Sequence, residues 1–347
     1  MADSNDTRQA ILDTYSEAAK ADDAEPCCSV DYRNEFEANE IDHIPAEVLH
    51  KNFGCGVPDR LRALKPGESV LDLGPGLGRD CFIAARKVGN TGRVYGLDMN
   101  PDMLEGARRH ATTVAETLGY ANVEFLDGKF DEEIPLHDSC VDVIFSNCVA
   151  NLAVDKNQAY AEMFRVLKPG AMLSFSDVVS DITVPQKVRD NPQAYADCIG
   201  GVQSFQELRD TLTAAGFVGI TLNVDFLYAT GLAILNRYFG GGLALNDSDR
   251  EAITGCSYLS VNISAIKHKY AATDPNEHKG HRAIYHGPAE SLTADDHEQT
   301  VLVRGEWSKV GEKTAWLLSQ PPYMPQITVI ANDCSIVTDG GCAPGCC

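Results

Sequence analysis

Between residues 64 and 177 the chain alternates short apolar runs with longer segments whose apolar positions recur every three or four residues. This is the pattern of a parallel sheet wound with helices. Residues 70–73 read as a buried strand, followed by Gly74-Pro75-Gly76-Leu77-Gly78 and a helix through Val88. A second strand is expected over 93–97, closed by Asp98, then a helix over 101–118 with Pro101 suited to its first turn. Third and fourth strands are expected at 123–126 and 141–146. A helix over 158–167 should stop at Lys168-Pro169-Gly170, where proline and glycine forbid continuation, and 171–176 makes a fifth strand. Ser204-Phe205-Gln206-Glu207 is a serine-to-glutamate capping box opening a helix that ends at Ala215-Gly216. Strands near 220–228 and 258–266 would close the sheet. In the latter, Leu259, Val261, Ile263 and Ala265 alternate with polar partners, as an antiparallel strand with one exposed face does.

The expected fold is α/β, a Rossmann-like seven-stranded sheet with a small C-terminal α+β unit. The expected organisation is an N-terminal cysteine-bearing segment over 1–60, the main domain over 61–270, a polar linker over 270–281, and a small domain over 282–347. The small domain carries a strand or helix over 299–304 and 312–318 and ends in a glycine- and cysteine-rich tail. The first 20 residues alternate polar and apolar positions, lack the apolar core of a secretory signal, and are assigned no element.

Composition narrows the function. With 347 residues, 44% of them in the hydrophobic set, there is enough to bury one large core and a smaller one. A net charge of −21 leaves no basic stripe to displace counterions from a phosphate backbone, so nucleic acid is not an expected partner. The longest apolar stretch, near 226–235, is too short to span a bilayer. A cytoplasmic setting follows as the expectation. In a reducing compartment the twelve cysteines are more often metal-binding, catalytic or simply buried than structural disulfides. Cys81, Cys140 and Cys256 sit in apolar or mixed runs and read as small core residues. Cys27-Cys28, Cys55, Cys148, Cys198 and the tail cysteines Cys342, Cys346 and Cys347 do not.

The glycine-rich loop follows a strand and precedes a helix, the context in which such a loop binds a ligand. Its spacing is G-x-G-x-G rather than the G-x-G-x-x-G of dinucleotide sites, with Asp72 just ahead. Glycines let the backbone approach a ligand closely, and the acid can accept a hydrogen bond. That variant suits S-adenosylmethionine, which has no pyrophosphate, on a class I methyltransferase fold. Asp98 is placed to hold ribose hydroxyls, Met99 to pack on adenine, and Asp127-Gly128 to meet the adenine edge. The cofactor set is therefore Asp72, Gly74, Gly76, Gly78, Arg79, Asp98, Met99, Asp127, Gly128 and Asn147.

Methyl transfer to oxygen or nitrogen usually needs a base. The fourth strand instead delivers Cys148 to the rim that faces the cofactor. Cys55 is flanked by glycines, and Cys198 falls in the insertion after strand five. None has the C-x-x-C spacing of a zinc knuckle.

Taken with Gly54-Cys55-Gly56, the run from Val70 to Asp80, Asn147-Cys148-Val149-Ala150-Asn151-Leu152 and Cys198-Ile199-Gly200-Gly201, the chain resembles the arsenite methyltransferase family. The resemblance covers about 27 to 267 well and the remainder more loosely. Pro75 replaces the serine expected there. The resemblance implies that Cys55, Cys148 and Cys198 ligate trivalent arsenic, with a fourth cysteine from Cys27 or Cys28. It also implies that arsenite or a thiol conjugate is the acceptor, and that a disulfide formed after methylation is reduced by thioredoxin or glutathione. Soft arsenic prefers thiolate, and its lone pair can attack the sulfonium methyl with no proton to remove. The rival expectations are a methyltransferase of a small organic acceptor, a non-enzymatic arsenite-sequestering protein and, more weakly, a zinc protein.

Overall fold

The computed structural model describes residues 4–21, 36–51, 54, 63–271, 273–296, 298–324 and 326–330. The chain opens with helix α1 (Ser4–Lys20), and the short helices α2 (Ala38–Ile41) and α3 (Ala46–His50) precede the wound sheet. There β1 (Ser69–Leu73), α4 (Arg79–Val88), β2 (Arg93–Asp98), α5 (Pro101–Leu118), β3 (Val123–Asp127), β4 (Val141–Asn147), α6 (Lys156–Val166) and β5 (Leu167–Ser180) follow in order. After β5 come α7 (Gln186–Arg189), α8 (Pro192–Ala196), α9 (Phe205–Ala214), β6 (Phe217–Thr230), α10 (Gly231–Phe239), α11 (Asp247–Thr254) and β7 (Ser257–Lys267).

Strand order is β3-β2-β1-β4-β5-β7-β6, with β1 to β5 parallel and β7 antiparallel to β5. The order reverses between β1 and β4, and such a switch opens a crevice beyond the carboxyl ends of the strands. Registry brings those ends level: Leu73 pairs with Ser146, Asp98 with Asp127 and Asn147 with Ser176. The central strands are buried on both faces, as helices on either side require.

Local chemistry explains the boundaries. Asn100 caps α5 by accepting from the Asp102 and Met103 amides, Pro101 takes its first turn, and Gly119 ends it in the left-handed region. Ser204 and Glu207 form the expected capping box of α9. Strand five, however, begins at Leu167 rather than Ala171. The β4 ladder pairs Val141 with Leu167 and next Val143 with Met172, so the intervening residues of β5 bulge out. Pro169 lies in that irregular stretch, where its missing N–H costs no ladder bond.

Three features were not expected from the pattern. The first 20 residues hold the 17-residue helix α1. The apolar run near 226–235 divides between β6 and α10 at Thr230, whose hydroxyl accepts from the Ala233 amide and caps the helix. Helix α11 then fills the return to β7.

Two compact units are distinguished: the described residues through Phe217 with Thr221–Lys267, and Val218–Ile220 with those from His268 onward. The second contains β8 (Arg282–Tyr285), β9 (Ser291–Thr293), β10 (Val301–Val303), β11 (Trp307–Lys309), α12 (Glu312–Leu318) and β12 (Ile327–Ile330). Strand β8 is central in a three-stranded sheet with β11 and β12, and β9 pairs with β10. The polar stretch before β8 is tied to α12, whose Lys313 ammonium donates to the Ala271 and Asp274 carbonyls at 2.7 and 2.9 Å. Among the described residues no helix is long and apolar enough to cross a membrane.

Candidate active site

The crevice at the switch point takes in about 1080 Å³ of space, open solvent at its mouth included. Gly74, Gly76 and Gly78 all have positive φ, at 65°, 55° and 95°. Two of them are required by close approach as well. A Cβ on Gly74 would come within 2.6 Å of Val149, and one on Gly78 within 2.9 Å of the Phe125 and Phe82 rings. Gly76 instead has nothing nearer than the Met103 sulfur at 3.9 Å, leaving room at the loop's crest.

Asp72 is buried and accepts a hydrogen bond from the Cys81 thiol at 3.3 Å. Burial first, then the neighbouring Asp80, holds its carboxyl well above the usual range. Burial pushes Asp98 up to about 6, even though the Asn100 and Gly76 amides donate to it at 2.9 and 3.3 Å. Arg79 and Asn147 both line the cavity, and both turn to Asp80. The guanidinium donates to both carboxylate oxygens at 2.8 and 3.2 Å, and the Asn147 amide to one at 3.2 Å. Met99 and Gly128 line the cavity as well, while Asp127 is exposed and is not among its lining residues.

Across the cavity stands the Cys148 turn. Cys148 lines the wall and is buried; Cys198 lies behind it, 1% exposed. The Cys198 thiol donates to the Cys148 carbonyl at 3.1 Å, and Leu152 and Tyr228 pack around the pair. Both cysteines have left-handed backbone, φ 59° and 61°, which is uncommon for a side-chain-bearing residue. At Cys198 the cause is visible. The Cys198 amide donates to the Tyr195 carbonyl and the Ile199 amide to that of Ala194, a Schellman closure of α8 in a position that favours glycine. Cys148 is disulfide-bonded. Cys27, Cys28, Cys55 and the tail cysteines lie outside the described residues. Gly54, next to Cys55, lines the cavity, and a Cβ there would press on the Asn147 side chain. Cys81 and Cys256 are buried, as expected of core residues; Cys140 is half-buried. Among the described residues no group of three or more His, Cys, Asp or Glu is arranged to hold a metal ion.

The two cysteine turns are braced together. A Cβ on Gly201 would overlap the Asn151 carbonyl oxygen, so glycine lets the Cys198 loop lie on the 3-10 turn after Cys148. The Asn151 amide group donates to Asp177 and to the Val178 carbonyl, both at 2.7 Å. Lys156 donates to the Asn151 carbonyl at 2.8 Å and to the Tyr195 hydroxyl at 3.4 Å. Burial lowers its ammonium to about 7, against the opposing pull of Asp177 and Asp131.

Helix α1 forms a further wall that the sequence reading missed. Arg8, Ile11, Leu12 and Tyr15 line the cavity, and their spacing is that of one helical face. Arg8 pairs with buried Asp131 at 3.0 Å. The signal lay in that spacing.

A parallel sheet switching at β1/β4, with a G-x-G-x-G turn over a cavity at the strand ends, defines the fold of the S-adenosylmethionine-dependent methyltransferases. Residues 64–216 match the family described as a methyltransferase domain, and 272–341 match a domain of unknown function. An arsenite methyltransferase of Halobacterium salinarum is 38% identical over 188 residues, 54% of this chain and 46% of that one. One from Aquipseudomonas alcaligenes is 37% identical over 57% of this chain and 58% of its own. The chain thus spans about half the length of these two relatives. The solved arsenic(III) S-adenosylmethionine methyltransferase of Chlamydomonas reinhardtii is 30% identical, with a TM-score of 0.60 over 84% of this chain and 94% of that one. The chain belongs to the arsenic(III) S-adenosylmethionine methyltransferase family.

Proposed function

We propose that the protein methylates trivalent arsenic with S-adenosylmethionine, holding the arsenic on cysteine sulfurs and using no general base. The observation that carries this reading is the Cys148–Cys198 pair. Two cysteines 50 positions apart pack together at the wall of the cofactor cavity, Cys148 lining it and Cys198 behind, each in backbone that a side chain seldom adopts. The names of the relatives point to the same acceptor.

The cavity suits the cofactor. Gly76 leaves space at the loop, Asp98 offers carboxyl oxygens for hydroxyl groups, and Asp72 and Asp80 offer carboxyl oxygens that can accept from an ammonium. Bound there, the cofactor would supply an electrophilic sulfonium methyl to the arsenic lone pair. The chain's own residues bind, orient and exclude water. Ile11, Leu12 and Leu152 make the wall apolar, while Lys156, Tyr195 and Gly201 hold the two cysteine turns in register. Alignment of two bound reactants then carries the rate. Cys55 is the proposed third sulfur ligand. Cys27 or Cys28 with Cys55 is the proposed dithiol that returns arsenic to the trivalent state, two thiols becoming a disulfide as arsenic gains two electrons. Cys148 must itself be reduced before it offers a thiolate, so a thioredoxin- or glutathione-class reductant belongs to the cycle. Detoxification is the proposed role.

The test supplies the reduced full chain with methyl-labelled S-adenosylmethionine, arsenite and a dithiol. Labelled methylarsenicals are expected, and Cys148→Ser or Cys198→Ser should lower their yield by about 100-fold or more. Arsenite bound stoichiometrically without methylated product would instead identify a sequestering protein. Transfer to a small organic acceptor that survives Cys148→Ser would identify a different methyltransferase.

A further inference from the structure

Helix α1 is fastened at several points that do not involve Tyr15. Arg8 pairs with Asp131, the Asn100 amide group donates to the Leu12 carbonyl at 3.3 Å and the Ser16 hydroxyl at 3.1 Å, and Lys51 donates to the Ala19 carbonyl at 3.2 Å. Against this scaffold Tyr15 does something its neighbours on the helix do not. It lines the cofactor cavity, yet its hydroxyl lies 3.5 Å from the Cys198 sulfur, 183 residues away in sequence.

Either atom of that contact can donate, and the Cys148 carbonyl favours one direction. A thiol has one proton, and that of Cys198 is directed to the Cys148 carbonyl at 3.1 Å, so Tyr15 is the donor to the sulfur. Binding trivalent arsenic replaces S–H and As–O bonds by an As–S bond, and the proton leaves with the hydroxyl as water. The sulfur then has nothing to donate to the Cys148 carbonyl, and that tether is lost. The Tyr15 contact is of the other kind. A hydroxyl donor to sulfur persists when the thiol proton goes and strengthens as the sulfur gains negative charge.

We propose that Tyr15 is a positioning residue for the acceptor, its hydroxyl keeping the Cys198 sulfur at the border of the cofactor cavity while arsenic takes the place of the thiol proton. This rests on the arsenic reading of the site. The substrate-facing wall and the acceptor-holding sulfur are thereby joined through one side chain of α1, a helix outside the wound sheet.

Tyr15→Phe keeps the ring and removes only the hydroxyl, and the other fastenings of α1 remain. Two readouts are compared on the reduced full chain. With arsenite, kcat should fall about tenfold while KM for S-adenosylmethionine changes by less than about twofold, the split expected of lost acceptor alignment and not of a damaged cofactor wall. Without any acceptor, site-resolved alkylation of Cys198 should rise about fivefold relative to buried Cys81 and Cys256 in the same sample, which report general loosening. Wild-type kcat with a wild-type labelling ratio overturns the proposal, as does a rise in KM for S-adenosylmethionine that matches the loss in kcat. If the wild-type chain methylates no arsenic, the acceptor reading fails, and the labelling ratio still decides whether Tyr15 holds the Cys198 sulfur.

Discussion

A cysteine at a glycine's post is the sharpest residue-level feature of this molecule. Left-handed backbone costs a residue with a Cβ about 1 kcal/mol relative to glycine. Cys198→Gly should therefore abolish arsenic methylation yet exceed Cys198→Ala in stability by about 1 kcal/mol, read from denaturant midpoints. Equal midpoints would mean that the turn stores no strain. Asp98 supplies a second prediction. Its acid is pushed up to about 6 by burial, so the folded state binds more protons than the unfolded state between about 4 and 6. Asp98 thus makes folding less favourable as pH rises through that window. Its carboxylate, the better acceptor for hydroxyl groups, is present only above it. S-adenosylmethionine should bind more tightly at pH 7.5 than at pH 5, and Asp98→Asn should flatten that trend in titration calorimetry. A pH-independent affinity in the wild type would remove Asp98 from the cofactor's hydroxyl partners. Asp72, Asp98 and the three loop glycines were legible in the sequence because a glycine loop between strand and helix dictates its own backbone. Asp80 was not, because only its contacts with Arg79 and Asn147 reveal its place.

At the scale of elements, two devices position the chemistry. One is the seating of the Cys198 loop on the turn after Cys148. Gly201→Ala puts a methyl group where the Asn151 carbonyl oxygen lies, so the loop must move away. The expected result is a loss of methylation of about 100-fold with cofactor affinity within about threefold of wild type. Retained activity would show that the two turns need not touch. The other device is α1. The Arg8–Asp131 pair has one nearly buried partner, and such a charge-assisted contact is worth about 1–2 kcal/mol. Arg8→Ala should therefore speed cofactor release about tenfold in stopped-flow measurements. The element boundaries followed local chemistry where caps were strong, as at α5 and α9. They failed where a bulge carried Pro169 and Gly170 into β5, and where the spacing of Arg8, Ile11, Leu12 and Tyr15 was read as mere alternation.

At the scale of the whole molecule, a formal charge of −21 means that acidic side chains repel one another over the surface. Added salt shortens the Debye length from about 30 Å at 0.01 M to about 3 Å at 1 M and should raise the melting temperature over that range. A falling melting temperature would show that attractive ion pairs, such as Arg165 with Glu162 and Asp138, outweigh the repulsion. The sequence by itself determined the wound sheet, the glycine loop and the acidic surface, since each follows from short-range periodicity, backbone freedom or composition. Only the tertiary structure decided that Cys148 and Cys198 meet, that Gly201 lets them, and that a helix from the chain's beginning closes over the same cavity. Those facts depend on contacts between segments far apart in the chain, and no local pattern of residues encodes which distant surface a turn or helix face will cover.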